Sequence, residues 1–396
     1  MILYKVVTSD SSIILVINCG SSSIRFGVYR RWGDKMLKGK IDQIGKGKSS
    51  MLVEGSDTHA GPIGDAGEAA AQIVSYLESV HMLSGIRAVG HRIVHGRNRR
   101  RPVLILDEVM TELNENTLLA PIHMNTALAV IDSIKRLLPD VLHVACFDTA
   151  FHADLPEVAR RMPLPRYLAQ KGIVRYGFHG LSCTYLLREF RKRAGEEAAR
   201  GRLIIAHLGS GASMTAVKEM KSLDTTMGFT PEAGLMMGSR PGDMDPGILT
   251  YLMRSEGFGL AEIEKLIQSE CGLLGVSDTT ADIGELLEEA GQDIRARQAV
   301  DLFCYQARKA LCGLCGALGG LDAVIFSGGI GENFPAIRAQ ICEGLGFLGI
   351  SLDEIRNRQN AFEISRLSGS TRVYMIRTDE ELIIAEQTQQ ALDNAS

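Results

Sequence analysis

Six short apolar runs recur along the chain, each ending abruptly on polar residues or glycine. They are IILVIN (13–18), IRAVGHRIVHG (86–96), LHVACFD (142–148), LIIAHLGSG (203–211), AVIFSGGIGEN (323–333) and RVYMIRTDEE (372–381). Runs of this length, rich in Val and Ile, predict buried strands. Between them apolar positions recur with helical spacing over 66–80, 124–138, 181–199, 258–269, 281–290 and 296–318. Strands alternating with helices predict an α/β architecture, in which ligands gather at the carboxyl ends of strands. Nearly every chemically interesting polar residue falls in that position, which argues for one shared site.

One strand segment echoes another. Placed without a gap on Gly20 and Gly209, IILVINCGSSSIRFGV lies over LIIAHLGSGASMTAV, and the second strands end together at Val28 and Val217. The copies lie 189 residues apart in a chain of 396. A repeated strand–turn–strand shape predicts a duplicated fold. The length suits two domains of roughly 150–200 residues. GKGKSS (45–50) and EGSDTHAGPIGDAG (54–67) read as loops, and no stretch is of low complexity.

Composition narrows the class. A hydrophobic content of 45% with 23% charged residues is that of a globular protein. The net charge of −4 argues against nucleic acid or an anionic membrane surface as the main partner. No apolar run approaches the ~18 residues of a spanning helix. The first twenty residues lack the basic start and long apolar core of a signal peptide, so a cytoplasmic protein is expected. The eight cysteines are scattered through apolar or glycine-rich contexts, as at Cys146, Cys183, Cys271 and Cys304, the pattern of a reduced compartment. Cys312 and Cys315 form one CxxC in a helical stretch, with neither a second pair nor a nearby histidine, and read as core packing.

Three glycine-rich turns follow predicted strands. NCGSSS and HLGSGAS offer consecutive small residues whose N–H groups can turn towards an anion. GGIGEN (328–333) opens a helix and suits a phosphate or the backbone-contacting part of a nucleotide. None is a P-loop: the nearest fragment, GKS at 47–49, has Asp42 where the first glycine belongs. Arg92 in GHRIVHG and Arg240 in GLMMGSRPGDMDPG stand beside glycines, placed to fork onto a carboxylate or phosphate. The other reading for Arg240 is an ion pair with Asp243 or Asp245. His91 and His95 would lie about 13 Å apart along a strand, which rules against a metal pair there. Asp148, ending LHVACFD, could hold Mg²⁺ as a hard oxygen ligand, cap the next helix, or both. In RTDEELIIAE, Thr378 and Glu381 fit a capping box, which leaves Glu380 to face the site. The arginines of RNRRR (97–101) read as a solvated face. His179 in RYGFHGLS and His123 in APIHMN lean towards phosphoryl contacts within this constellation.

The ordered set NCGSSS, GHRIVHG, FDTAFH, YGFHGLS, HLGSGAS, DTTMGFTPEAGLMMGSRPGDMDPG, FSGGIGEN and TDEEL resembles the acetate kinase family, from about residue 13 to 388. The resemblance implies two duplicated actin-like (ribonuclease H-like) α/β domains around a central cleft, with closure excluding water. It divides the chain into 1–150 plus 380–396, the acyl and phosphate side, and 151–379, the nucleotide-binding and dimerisation domain. It implies a homodimer and a reversible, Mg²⁺-dependent (or Mn²⁺-dependent) transfer from ATP to acetate, giving ADP and acetyl phosphate. By the same resemblance Asn18, Ser21, Ser23 and Arg25 form the first phosphate region. His207, Gly209, Ser210 and Gly211 form the second. Arg92 and Arg240 hold the carboxylate and the transferring phosphoryl group, and His179 and His123 are active-site histidines. Asp148 and Glu380, with Asn18, are the metal-associated residues. Val94, Ile122, Phe178 and Pro231 wall the acyl pocket. Asp282, Ile283 and Gly284 lie by the adenine, and Gly329, Ile330, Gly331 and Asn333 on the adenosine side.

A carboxylate acceptor is ionised at neutral pH and needs no general base. The obstacle is anion against polyanion, so cations carry the catalysis. A propionate or other short-chain carboxylate kinase, or a pyrophosphate-using relative, is the alternative; a silent nucleotide-binding regulator ranks last. The retained GGIGEN speaks for a nucleotide, and the five charged residues Arg92, Asp148, His179, Arg240 and Glu380 speak for catalysis. The chain departs from the family pattern at three places. Ser210 replaces the usual Asn. Met124-Asn125-Thr126 replaces Asn-Pro-Pro and is expected to loosen a loop beside the acyl pocket. Gly284 replaces an arginine near the adenine, which predicts weaker base discrimination and poorer apparent affinity for ATP.

Overall fold

The computed structural model describes residues 13–395 apart from 21, 31, 32, 46, 48, 59 and 60, with 56–58 described by backbone alone. The chain divides into two units, Met1–Ala153 with Asp379–Ser396, and Asp154–Thr378. Among the described residues no helix is long and apolar enough to cross a membrane.

The first unit is built on eight strands: β1 (Ile13–Cys19), β2 (Ile24–Arg30), β3 (Lys35–Asp42), β4 (Ser50–Val53), β5 (Ser56–Thr58), β6 (Ile86–Ile93), β7 (Val103–Leu104) and β8 (Leu142–Phe147). Their order across the sheet is β5-β4-β3-β2-β1-β6-β8-β7. From Ile14 to Cys19, β1 is buried on both faces, which is why it reads as an unbroken apolar run. Leu15, Ile17 and Cys19 face a core shared with Ile73 and Leu77 of the helix Ala66–Ser79 and with Val130 and Ile134 of the helix Pro121–Leu137. The returning helix Glu380–Ala395 packs against β6 at Gly90. A methyl group there would stand 2.1 Å from Thr388 Oγ1, so only glycine admits the helix this closely.

The second unit carries β9 (Leu203–Leu208), β10 (Ala212–Lys218), β11 (Lys221–Thr225), β12 (Ala323–Ser327) and β13 (Arg372–Met375), in the order β11-β10-β9-β12-β13. Its longest helix, Ile294–Leu318, starts at Asp293, whose carboxylate accepts from the Arg295 N–H, and stops at Gly319 with φ of 70°. Cys315 is buried and Cys312 half-buried along this helix. The helical pattern over 181–199 is broken by Gly195, with φ of 97°, into Gly180–Ala194 and Glu196–Arg200.

The duplication is visible in the strand orders. In each unit a three-stranded antiparallel meander (β3-β2-β1, β11-β10-β9) continues into two parallel strands (β6-β8, β12-β13). The ungapped match to Val28 and Val217 needs one correction. Cys19 faces Ile24 across the first turn, whereas Leu208 faces Ala212 across the second. The second turn is one residue shorter, so the equivalent of Val217 is Tyr29.

Candidate active site

β1, β6 and β8 are parallel neighbours, and their carboxyl ends bring Asn18, Arg92 and Asp148 to one edge of the first sheet. Arg92 Nε and Nη2 donate to the same oxygen, Asp148 Oδ2, at 3.0 and 2.6 Å. Its Nη1 donates to Asn18 Oδ1 at 3.1 Å and lies 3.5 Å from Glu380 Oε2. Asn18 Nδ2 donates to Glu380 Oε2 (3.0 Å) and Glu381 Oε1 (2.8 Å). Lys38 on β3 completes the cluster, donating to Asp379 Oδ1 at 2.8 Å and Glu381 Oε2 at 3.3 Å. Burial alone would disfavour the charged guanidinium, but Asp148 and Glu380 outweigh it and raise the Arg92 pKa. Lys38 is raised for the same balance of reasons, burial opposed by Asp379 and Glu381. Burial pushes the neighbouring Cys19 thiol up to about 12, so it is no nucleophile.

Four carboxylates (Asp148, Asp379, Glu380, Glu381) thus gather with Arg92 and Lys38 in one cluster. Its donors are hard oxygens. That chemistry fits Mg²⁺, which takes one or two carboxylates and completes its shell with phosphate oxygens and water. Among the described residues no three His, Cys, Asp or Glu side chains form a ready-made cage. Asn18 turns its amide oxygen to Arg92 and its nitrogen to the carboxylates.

Here the capping reading is corrected. The cap of the last helix is Asp379, whose Oδ1 accepts from the Leu382 N–H at 3.1 Å. Thr378 lies one residue too early, and Glu381 is bound to Asn18 and Lys38 rather than to the cap. The expected loop at Met124-Asn125-Thr126 is corrected too. These residues lie inside the helix Pro121–Leu137, with the Met124 N–H bonded to Ala120 O and the Thr126 hydroxyl to Ile122 O. Prolines lack the N–H that such a helix uses, so their absence here lets the helix begin at Pro121. His123 is its third residue and Ile122, 38% exposed, its second, while Val94 is buried just beyond β6. Ser23 accepts the Gly20 N–H through its carbonyl at 2.7 Å, Arg25 is exposed on β2, and Ser21 lies outside the described residues.

In the second unit the β9–β10 turn is closed by the Gly209 N–H on Gly211 O at 3.0 Å. His179 precedes the helix Gly180–Ala194 in a left-handed conformation, φ 58°, which is costly for a residue with a side chain. Its Nδ1 lies 2.9 Å from Ser213 Oγ, and its ring stacks on His207 at 4.3 Å between centroids. His207 Nδ1 lies 2.7 Å from Ser182 Oγ. Arg240 Nη1 donates to Pro231 O at 2.7 Å. The acids considered as its ion-pair partners serve the backbone: Asp243 accepts from Gly234 N–H, and Asp245 from Gly247 N–H. A methyl group at Gly211 would stand 2.9 Å from Arg240 Nη2 and 3.3 Å from His179 Nε2. Two side-chain nitrogens therefore converge over a bare glycine turn, a cradle that suits an anion when His179 carries its proton on Nε2. Phe178 and Pro231 are buried nearby in sequence, and Ser210 is exposed, its carbonyl accepting from Gly238 N–H.

The GGIGEN segment adjoins this turn, for a methyl at Gly209 would stand 3.7 Å from the Gly329 nitrogen. Gly328, with φ of 76°, lies so close to the Leu208 backbone that a Cβ would overlap it at 2.6 Å. Glu332 Oε1 gathers Ser327 Oγ (3.1 Å), Gly328 N–H (3.0 Å) and Thr378 N–H (3.0 Å). Asn333 Nδ2 donates to Gly329 O, and Ile330 and Gly331 are buried. Arg338, fully buried, donates to the carbonyls of Gly331 and Glu332 and to Asn357. Asp282 caps the helix Ile283–Glu289 by accepting from Gly284 and Glu285 N–H, and Ile283 is buried. Gly284 sits against Phe334, where a methyl would meet the ring at 3.2 Å. Sequence reasoning missed Lys38, Ser182, Ser213, Glu332 and Arg338. Ser213 carried a signal, the alternation of β10 after the turn; Lys38 and Arg338 carried none.

The family model of the acetokinase family matches residues 13–386. An acetate kinase of Rhodopseudomonas palustris (strain TIE-1) is 40% identical over 97% of this chain and 99% of its own length. The crystal structure of Porphyromonas gingivalis acetate kinase superposes with a TM-score of 0.84 at 35% identity, covering 96% of this chain and 100% of that one. A propionate kinase from Francisella tularensis subsp. tularensis gives 0.87 at 32% identity, covering 96% and 99%. The chain accordingly has the duplicated actin-like ATPase fold, as the paired strand orders already indicate.

Proposed function

This chain belongs to the acetokinase family, and we propose that it transfers the γ-phosphoryl group of ATP reversibly to acetate, giving ADP and acetyl phosphate. The observation that carries the reading is the convergence of Arg240 Nη2 and His179 Nε2 over Gly211, beside the loop Gly328–Asn333. An acetate oxygen attacks the γ-phosphorus in line as the bond to the β-bridging oxygen breaks. Arg240 and His179 stabilise the charge spread over the equatorial oxygens. Arg92 holds the acceptor carboxylate, with Asp148 fixing the orientation of its guanidinium. His123 lies with the acceptor, and Val94, Ile122, Phe178 and Pro231 wall its methyl group. Asn18, Ser21, Ser23, Arg25, His207 and the turn Gly209–Gly211 attend the phosphates. Asp282, Ile283, Gly284, Gly329, Ile330, Gly331 and Asn333 attend the adenosine. A Mg²⁺ or Mn²⁺ ion held by Asp148 and Glu380 beside Asn18 would neutralise phosphate charge.

Propionate is the second acceptor to consider, because the superposed neighbours include a propionate kinase and one methylene is worth only ~1–3 kcal/mol of discrimination. A homodimer is supported by the helix Pro246–Ser255. It buries none of its residues within the single chain and exposes Ile248, Tyr251 and Met253. A cytoplasmic setting is supported by the free cysteines. The test is hydroxamate formation over acetate, propionate and butyrate with ATP, GTP and pyrophosphate. Acyl phosphate is expected with acetate and ATP; none from any pair would sink the reading.

A further inference from the structure

Behind the two stacked histidines runs a continuous chain of polar groups. Thr378 is fixed by its backbone, its N–H bonded to Glu332 Oε1 at 3.0 Å. Its hydroxyl lies 2.9 Å from Ser182 Oγ, which lies 2.7 Å from His207 Nδ1. His207 stacks on His179, whose Nδ1 in turn meets Ser213 Oγ. Ser182 and Ser213 are both buried, so each hydroxyl must settle its bonds within the protein. The glutamate that anchors Thr378 also holds Ser327 and Gly328 at the head of the nucleotide-side loop.

We propose that Ser182 and Thr378 are positioning residues, which set the ring orientation and tautomer of His207 and, through the stacked pair, the aim of His179. The inference rests on the reading of this site as the phosphoryl site. A hydroxyl has one proton to give and lone pairs to receive. With Thr378 donating to Ser182 and Ser182 to His207 Nδ1, the imidazole proton sits on Nε2, where it can donate to an anion. If His207 takes up a second proton, Nδ1–H donates to Ser182, Ser182 to Thr378, and the chain reverses with every link kept. Either state presents an Nε2–H and keeps both hydrogen-bonded links, with the two hydroxyls turned round between them. Remove the serine hydroxyl and Nδ1 loses that bond, so the tautomers become mixed and the ring less fixed.

Thr378→Val removes only the terminal hydroxyl and nearly conserves shape; Thr378→Ser restores it. Ser182→Ala removes the central link. Side-chain ¹⁵N shifts of His207, read by long-range ¹H–¹⁵N correlation, report the tautomer without reference to activity. The expected result is a His207 shift pattern moved towards a tautomer mixture in Ser182→Ala and, less far, in Thr378→Val. Alongside it kcat should fall about 10- to 100-fold for Ser182→Ala, as for other outer partners that orient an imidazole. The KM for acetate should hold, and Thr378→Ser should recover most of the loss seen in Thr378→Val. Unchanged His207 shifts in both variants overturn the proposal, as do moved shifts with unchanged kcat. If Ser182→Ala does not fold, the two Thr378 variants decide it. An absence of acyl-phosphate activity in the unmodified protein would fail the proposed function, while the ¹⁵N measurement would still decide the tautomer.

Discussion

Arg92 directs Nε and Nη2 onto a single oxygen of Asp148, at 3.0 and 2.6 Å, and keeps Nη1 for Asn18. One guanidinium thereby fixes the ends of three adjacent strand segments. Lysine cannot do this, having a point charge in place of a fork. Arg92→Lys is expected to lower kcat/KM at least ~100-fold, since misaimed positioning groups cost that much. Arg92→Ala should also take the guanidinium from the buried Asp148 carboxylate and lower stability by roughly 3–5 kcal/mol. Steady-state kinetics with urea unfolding of both variants checks this, and near-normal rates in either would remove Arg92 from the mechanism.

Gly211 tests the anion cradle. Its added methyl would stand 2.9 Å from Arg240 Nη2, the far end of a flexible side chain, so the fold should tolerate it. The cradle should not. Gly211→Ala is expected to cut kcat about 100-fold or more with little change in melting temperature, because Arg240 must swing away from the phosphoryl position proposed for it. An equal fall in stability and rate would point instead to a damaged turn.

The proposed nucleotide site puts Gly284 beside the base. The family resemblance places an arginine there, and a side chain at this position meets Phe334 at 3.2 Å. Gly284→Ala measures that crowding alone. Gly284→Arg is expected to raise the preference for ATP over GTP several-fold above the alanine control. The kcat/KM ratios for the two nucleotides decide it, and equal ratios in both variants would show that the lost arginine does not set the base preference.

Acid stability should be limited by a buried histidine pair. His91 Nε2 and His143 Nδ1 lie 2.9 Å apart, with Lys135 the charged neighbour. Burial first, then its partner and Lys135, hold His91 well below the usual range; burial and Lys135 lower His143 to about 4. Between the ordinary histidine value near 6.5 and that lowered range the unfolded chain binds more protons than the folded one. Stability is therefore full above about pH 6.5 and falls as pH drops through the window, by up to ~1.4 kcal/mol per pH unit for each group. Urea midpoints from pH 7.5 to 5 should show this slope. The double variant His91→Leu/His143→Leu, which removes both partners together, should flatten it.

Much of this was legible along the chain because strand ends carry the chemistry. Asn18, Arg92 and Asp148 follow three apolar runs, and those runs are the parallel neighbours β1, β6 and β8. The repeat was legible in outline, but its register was not. A turn shortened by one residue leaves strand alternation intact to the eye while moving every partner by one. Capping failed at Thr378 for a local reason: Thr and Asp both cap, and only the backbone shows that Asp379 is the residue poised over Leu382. Lys38 was invisible because its partners lie more than 340 positions away. Arg338, bound to carbonyls and asparagines rather than to an acid, offers no charge pattern to read.

The most direct measurement follows one oxygen atom. With ATP and [¹⁸O₂]acetate, attack by the acetate oxygen on the γ-phosphorus puts one ¹⁸O in the C–O–P bridge of acetyl phosphate. Hydroxylamine then attacks the carbonyl carbon, and the phosphate departs carrying that atom. ³¹P NMR of the released phosphate should show a single ¹⁸O isotope shift, in proportion to hydroxamate formed. Released phosphate without label, or no hydroxamate at all, would contradict the account.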